Sequence, residues 1–301
     1  MSTSIAIVGA GRIGTALGRL LRERGYEVAG VVCRTTERAE AAVRFIGGGR
    51  PSTDPAEGAK GAKVVFVTVP DRALAEVAAR IGARRRLRRG EFLVHTSGAH
   101  PAQVLRAPGT ERAHLLALHP LQTIADPSEA GRLVGAVWGM EGDEEALPLG
   151  MELVRALEGT PLPIPPGAKP LYHAAATVAS NYAIALAGVA LRLFKSAGLP
   201  QAEALRAVAA LMEGAAGNLR RLGVHWALTG PIERGDAATV RAHLEAIAGG
   251  GGRSGEGEEE RLRVEGIYRV LGLETLRIVA ERDGGLSLPH QGIKELLEGV
   301  S

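Results

Sequence analysis

Short apolar runs alternate with helix-period segments through the first half of the chain. Ile5-Ala6-Ile7-Val8 predicts a buried strand, residues 15–21 continue at helical spacing, and residues 27–33 predict a second strand. Further apolar runs at 63–69, 91–95, 114–118 and 135–138, with helical segments between several of them, predict a mostly parallel sheet. A helix with acids in its first turn is expected over 143–157, then a last strand at 161–164. Pro165-Pro166-Gly167 ends this region, so one domain is expected over 1–165 and a second over 166–301. The second region is all helix by pattern: 170–197, 201–222, 237–248, 261–282 and 291–299, with a flexible glycine-rich connector at 249–257. The segment 170–197 is apolar on nearly every side, which predicts a helix buried on all faces at the centre of this domain, where it would also meet a twin subunit.

The first strand runs into Gly9-Ala10-Gly11-Arg12-Ile13-Gly14 at the start of a helix. Gly9 allows a tight turn, Gly11 lets the backbone approach a diphosphate, and Gly14 lets helix and strand pack closely; the amides of Arg12 and Ile13 open the helix, whose N-terminus favours an anion. At the tip of the second strand, an acidic residue would accept the ribose 2′-hydroxyl and repel a phosphate. This chain has Cys33-Arg34-Thr35-Thr36 there, with Arg38 beyond. Guanidinium groups can fork onto a 2′-phosphate and the threonines can add donors, so NADP(H) is favoured over NAD(H). The competing reading of Thr35 or Thr36 is a helix cap, with Arg34 merely solvated.

Composition excludes more than it identifies. With 46% hydrophobic and 23% charged residues, the chain has the balance of a soluble globular protein, and no apolar run is read as long enough to cross a bilayer. No signal peptide precedes the first strand, so a cytoplasmic location is expected. Cys33 is the only cysteine, which rules out an internal disulfide and suggests a small buried residue rather than a nucleophile. Net charge is +3, and the cluster Arg84, Arg85, Arg86, Arg88 and Arg89 has no interleaved aromatics. It reads as a solvated connection; neither nucleic acid nor metal is implied. Asparagine occurs only at Asn181 and Asn218, and arginine is the default cation, so Asn181 and Lys169 stand out.

Ligands of such sheets bind beyond the carboxyl ends of the strands, which directs attention to three loops. Val69 and Pro70 would wall the nicotinamide ribose, Thr96 and Ser97 offer hydroxyls, and His119 precedes a proline at the mouth of the expected cleft between domains. For Ser97 the alternative is a serine turn beside Gly98. Lys169, His173, Thr177 and Asn181 recur every four residues along the apolar helix, with Ser180 beside them. Such an aligned polar strip either faces a polar cleft or hydrogen-bonds to other protein. In the first case His173 is the leading acid or base and Lys169 the second, with Asn181, Thr177 and Ser97 orienting a substrate. Arg234 could clamp a carboxylate, whereas Asp236 has the position of a helix cap.

Taken together, the glycine turn, Val69-Pro70-Asp71, His95-Thr96-Ser97-Gly98-Ala99, His119-Pro120-Leu121-Gln122, Tyr172-His173-Ala174-Ala175-Ala176, Ser180-Asn181 and the segment 228–236 resemble a bacterial family of predicted oxidoreductases. That resemblance implies an α/β fold, an N-terminal Rossmann-type mostly parallel sheet followed by an all-α C-terminal domain of unassigned function. It also links the chain to ketopantoate, pyrroline-carboxylate and deazaflavin-dependent NADP reductases, 3-hydroxyisobutyrate dehydrogenases and prephenate dehydrogenases. The implied activity is NADP(H)-dependent hydride transfer to a small 2-oxo acid, with ketopantoate as the named substrate and a homodimer formed through the helical domain. Alternatives are an imine reductase of the pyrroline-carboxylate type, a prephenate-type dehydrogenase, and a non-catalytic NADP(H) sensor or scaffold.

Overall fold

A computed structural model describes residues 3–249 and 257–299. The expected connector over 249–257 therefore lies largely outside the described residues. The chain divides into two compact units, Met1–Ser180 and Asn181–Ser301, with the division falling inside one long helix.

The first unit carries an eight-stranded sheet: β1 (Ser4–Val8), β2 (Glu27–Val32), β3 (Arg50–Ser52), β4 (Val64–Val67), β5 (Phe92–His95), β6 (His114–Pro120), β7 (Val137–Gly142) and β8 (Thr160–Pro163). Their order is β3-β2-β1-β4-β5-β6-β7-β8, and the only antiparallel pairing is that of β6 with β7. β1 and β4 have almost no exposed side chain because helices cover both faces, which is why they read as continuous apolar runs rather than alternating ones. The three-residue β3 at the edge, with Pro51 in it, is too short to show a period and was not anticipated.

The helices are α1 (Arg12–Glu23), α2 (Thr36–Ile46), the short α3 (Pro55–Gly58), α4 (Leu74–Arg84) and α5 (Leu147–Ala156). One core layer joins Leu17, Leu20 and Leu21 of α1 to Trp138 and to Leu153 of α5; the other packs Leu74, Val77 and Ile81 of α4 on the opposite face. β1 and β4 run parallel, but successive strands are added outward from β1 in one direction and from β4 in the other, so the connections after these two strands leave to opposite faces of the sheet. The crevice between them is the topological switch point, where nucleotide ligands of such sheets sit.

Helix α6 (Lys169–Ser196) leaves the first unit and begins the second, which continues with α7 (Gln201–Leu222), α8 (Val224–Ala227), α9 (Ala237–Gly249), α10 (Glu258–Asp283) and α11 (Leu288–Glu298). The core of the second unit is small: Val240, Leu244, Leu276, Ile293, Leu296 and Leu297. Two expectations about α6 are overturned. Its apolar faces are open in the single chain, with Leu171 78% and Ile184 71% exposed, and Lys169 is its one fully buried residue. An all-round apolar helix needs partners on every side, and a six-residue core formed elsewhere cannot supply them. Moreover, α6 is long and apolar enough to cross a bilayer, with a mean hydropathy of 1.6 over its best window. The polar strip breaks the helix into short apolar runs, which hides this property from a search for uninterrupted ones.

Candidate functional site

The glycine turn between β1 and α1 is held by neighbours that leave no room for side chains. A Cβ on Gly9, whose φ is +95°, would fall 2.5 Å from Val69 Cγ1, and one on Gly14 would fall 2.3 Å from Thr68 Oγ1 and 2.8 Å from the Gly9 carbonyl. Thr68 locks the approach by donating its hydroxyl to the Gly9 carbonyl at 2.8 Å, while Gly9 and Ala10 donate their amides to the Val32 carbonyl. Gly11 differs, because its Cβ would meet nothing nearer than the Gly9 carbonyl at 3.9 Å. Its bare backbone faces open space at the N-terminus of α1, a helix with no side-chain cap and no acid in its first turn. Arg12 is exposed and Ile13 half-buried beside it. An uncapped helix end behind a stripped backbone is a cradle of the shape and potential that a diphosphate requires.

At the tip of β2, Arg34, Thr35, Thr36 and Arg38 are all exposed. Thr35 is the N-cap of α2, its hydroxyl accepting the Arg38 amide at 3.4 Å, so the capping reading of this residue is realised. Among the described residues, no carboxylate pairs with either guanidinium, so both remain exposed and available to an anion. Cys33 is half-buried rather than buried, its thiol lies 3.7 Å from the Ala10 carbonyl, and burial pushes its pKa up, so it is not an activated nucleophile.

A second group gathers where β5 and β6 end. The Lys169 ammonium donates to the Ser97 carbonyl at 2.9 Å and lies 5.7 Å from the Tyr172 ring. The Tyr172 hydroxyl is 2.8 Å from His119 Nδ1, and the His119 and His173 rings stand edge to face at 6.1 Å. Two glycines clear the seats: a Cβ on Gly98 would fall 2.6 Å from His173 Nδ1 and 2.9 Å from His119 Nε2, and one on Gly139 would fall 2.1 Å from the Tyr172 hydroxyl. Gly139 is the β7 partner of His119, so strand register sets the tyrosine against the histidine. His173 Nδ1 is buried and has no hydrogen-bond partner.

Burial shapes the electrostatics of this group. It lowers Lys169 to about 8, against the pull of Glu141 and Asp71, neither of which comes within ion-pair distance. Lys169 is only 2% exposed, so a cation sits in the interior without a direct counter-charge. Desolvation, with the positive field of Lys169 and His173, drops His119 to about 4, and burial raises Tyr172 to about 12. At neutral pH the cluster therefore holds one ammonium beside a neutral imidazole and a neutral phenol.

The Ser97 hydroxyl accepts the amides of Ala99 and His100, both at 3.2 Å, which is the serine-turn role; its carbonyl is what meets the lysine. Val69 is half-buried over Gly9, Pro70 is exposed at the start of a 3₁₀ turn, and Thr96 is half-buried next to Ser97. Thr177 is half-buried beyond His173, whereas Asn181 is exposed and opens the second unit, outside the set drawn together in the first. Asp236 caps α9 by accepting the Thr239 amide at 3.0 Å and its hydroxyl at 2.6 Å, and Arg234 is exposed. Sequence reasoning missed Thr68, His95, Tyr172, Glu141 and Asp71 as parts of the site. Tyr172 had a signal, since it is one helical turn from Lys169. Glu141 had none, because its relation to β6 exists only through antiparallel pairing.

Comparison with known proteins divides the chain in the same order. Residues 1–120 match the model of a Rossmann-like domain, and residues 136–275 match that of a domain of unknown function, DUF2520. A glycerol-3-phosphate dehydrogenase (NAD(P)+) of Azotobacter vinelandii is 32% identical over 155 residues, 48% of this chain, and the chain spans 42% of that relative's length. Protein TM1727 from Thermotoga maritima superposes with a TM-score of 0.70 at 27% identity, covering 93% of this chain and 99% of its own. Protein BF3122 of Bacteroides fragilis, assigned as an NADP oxidoreductase, also gives 0.70, at 22% identity and coverages of 91% and 98%. A reductive aminase from Aspergillus terreus, solved with NADPH and ethyl levulinate, gives 0.61 at 21% identity and covers both chains fully, at 100%. What these structures share with the chain is its fold.

Proposed function

We propose, for a chain that joins a Rossmann-like domain to a DUF2520 domain, that it is an NADP(H)-dependent oxidoreductase acting on a small 2-oxo acid, with ketopantoate as the leading substrate. The observation that carries this reading is Lys169: a buried ammonium with one backbone carbonyl as its partner, seated at the strand ends that also bear the glycine cradle. A buried cation lacking a counter-charge is costly to the fold and suited to an anion that arrives with the substrate. A bound coenzyme would supply the hydride; the turn of Gly9, Gly11 and Gly14 would hold its diphosphate and Arg34 and Arg38 its 2′-phosphate. The strand tip fits NADP(H) through two guanidiniums without carboxylate partners, with Glu37 the one carboxylate among residues 34–38.

After its bond to Ser97, the ammonium keeps two donors. In a 2-oxo acid the keto oxygen and a carboxylate oxygen are adjacent, so one ammonium can bridge both. Reduction leaves negative charge on the keto oxygen, and Lys169, lowered to about 8, is a proton source matched to neutral pH. His119, at about 4, is too weak a base to be protonated there, and instead orients the Tyr172 hydroxyl beside the lysine. Proton donation is therefore assigned to Lys169, with the His173 ring beside it, its Nδ1 buried against Gly98 and without a hydrogen-bond partner. Likeness to imine-reducing folds supports a second reading, but a protonated imine would be repelled by a buried ammonium.

A purified-protein assay following NADPH absorbance with ketopantoate, 1-pyrroline-5-carboxylate and prephenate separates these readings. Ketopantoate is expected to turn over, and Lys169→Met to reduce the rate by about 10²-fold or more with NADPH affinity unchanged. NADPH binding without turnover of any 2-oxo acid would overturn the substrate class. Turnover of pyrroline-carboxylate alone would select the second reading.

A further inference from the structure

The imidazole of His95, the last residue of β5, has neighbours that leave its protonation no choice. The Ser97 amide donates to Nδ1 at 3.1 Å, and Nε2 lies 3.1 Å from the Pro101 carbonyl. A backbone amide can only donate and a carbonyl only accept, so Nδ1 is bare and Nε2 carries the proton. The ring is wholly buried and spans the loop that follows its own strand. Within that loop the Ser97 hydroxyl gathers the Ala99 and His100 amides, so Ser97 is fixed from both of its sides. The Ser97 carbonyl is the sole hydrogen-bond acceptor of Lys169 among the described residues.

We propose that His95 is a positioning residue for Lys169: its single tautomer pins the turn from Ser97 to Pro101, and the turn presents the carbonyl that holds the ammonium in place. The inference rests on the reductase reading for its functional meaning, but its physical content is independent of any substrate. The charged and titratable groups facing the ring are Lys169, Asp71 and His100, and burial with the field of Lys169 holds the imidazole at about 4, against the pull of Asp71. A proton added to Nδ1 would oppose the Ser97 amide with a second donor and release the turn.

Two polar substitutions in the full-length protein separate the two ends of the ring. Asn places an acceptor where Nδ1 lies and should keep the Ser97 bond, whereas Gln reaches the Nε2 position and should keep only the Pro101 bond. The readout is the pH dependence of Lys169 acetylation by acetic anhydride, located by mass spectrometry, alongside NADPH affinity and, where a substrate is in hand, kcat. His95→Asn is expected to titrate as the wild type does. His95→Gln should acetylate Lys169 several-fold faster at high pH, shift its titration upward, and lower kcat about tenfold or more with NADPH affinity unchanged. Identical behaviour of the two variants would overturn the proposal. Should His95→Gln not fold, long-range ¹H–¹⁵N spectra of the wild-type imidazole decide it: a proton on Nδ1 overturns it, and one on Nε2 alone supports it. Because acetylation needs no turnover, failure of the substrate assignment cannot be mistaken for failure of this one.

Discussion

The three glycines of the first turn answer to different neighbours, and the difference is testable one residue at a time. Gly14→Ala would drive a methyl into the Thr68 hydroxyl and the Gly9 carbonyl, backbone that cannot yield easily. It should destabilise the protein by about 1–3 kcal/mol in urea titration, as overpacking does. Gly11→Ala has room and should unfold like the wild type, yet lose tenfold or more in NADPH affinity, because its methyl would occupy the surface offered to the diphosphate. Lys169 shows the reverse relation between function and stability. With its pKa lowered to about 8, the folded protein binds fewer protons than the unfolded chain between there and the ordinary 10.5, so stability rises with pH across that window. Below it both states are protonated and the burial penalty is present in full, on the order of 3 kcal/mol. Lys169→Met should therefore unfold at higher urea than the wild type at pH 7 and lose the alkaline gain, while failing to reduce substrate. His95 and His119, both held at about 4, impose the same sign lower down, and stability should fall as pH drops from 6.5 toward 4.

Elements were legible where their surroundings were uniform. β1, α1 and β2 read correctly because a two-sided sheet demands continuous apolar runs and a covering helix demands a 3.6-residue stripe. The position of α6 was legible too, but not its environment, since an apolar sequence records a need for burial without naming what provides it. Val178 and Ile184 stand exposed on α6, as do Leu211 and Leu219 on α7, more apolar surface than a solvated monomer usually shows. A second copy of the chain is the proposed cover. Lys169, His173, Thr177 and Asn181 along the same helix disfavour hydrocarbon as the alternative, because each would need a polar partner there. Sedimentation equilibrium should give a dimer, and Ile184→Glu should shift it to monomer with helix content retained; a wild-type monomer at tens of micromolar would refute this cover.

At the scale of the whole molecule, binding and stability are linked. A coenzyme at about 100 times its dissociation constant adds about 2.7 kcal/mol to the folded state, so the melting temperature should rise by several degrees with NADPH. The rise should be smaller with equal NADH, and replacing Arg34 and Arg38 by alanine should bring the two coenzymes together. A larger shift with NADH would reverse the assigned preference.

Local chemistry was written in the sequence: a strand, a glycine turn, the start of a helix and a basic strand tip lie within thirty-odd residues, so propensity and spacing suffice to read a dinucleotide cradle. The second cluster joins Ser97, His119, Lys169 and Tyr172 from three separated segments. Only strand order, the antiparallel turn of β7 and the start of α6 bring them within hydrogen-bond reach. Desolvation then decides which of them is charged. Burial is a property of the assembled fold, so no reading of residue types along the chain could have told the cationic Lys169 from the neutral His119 beside it.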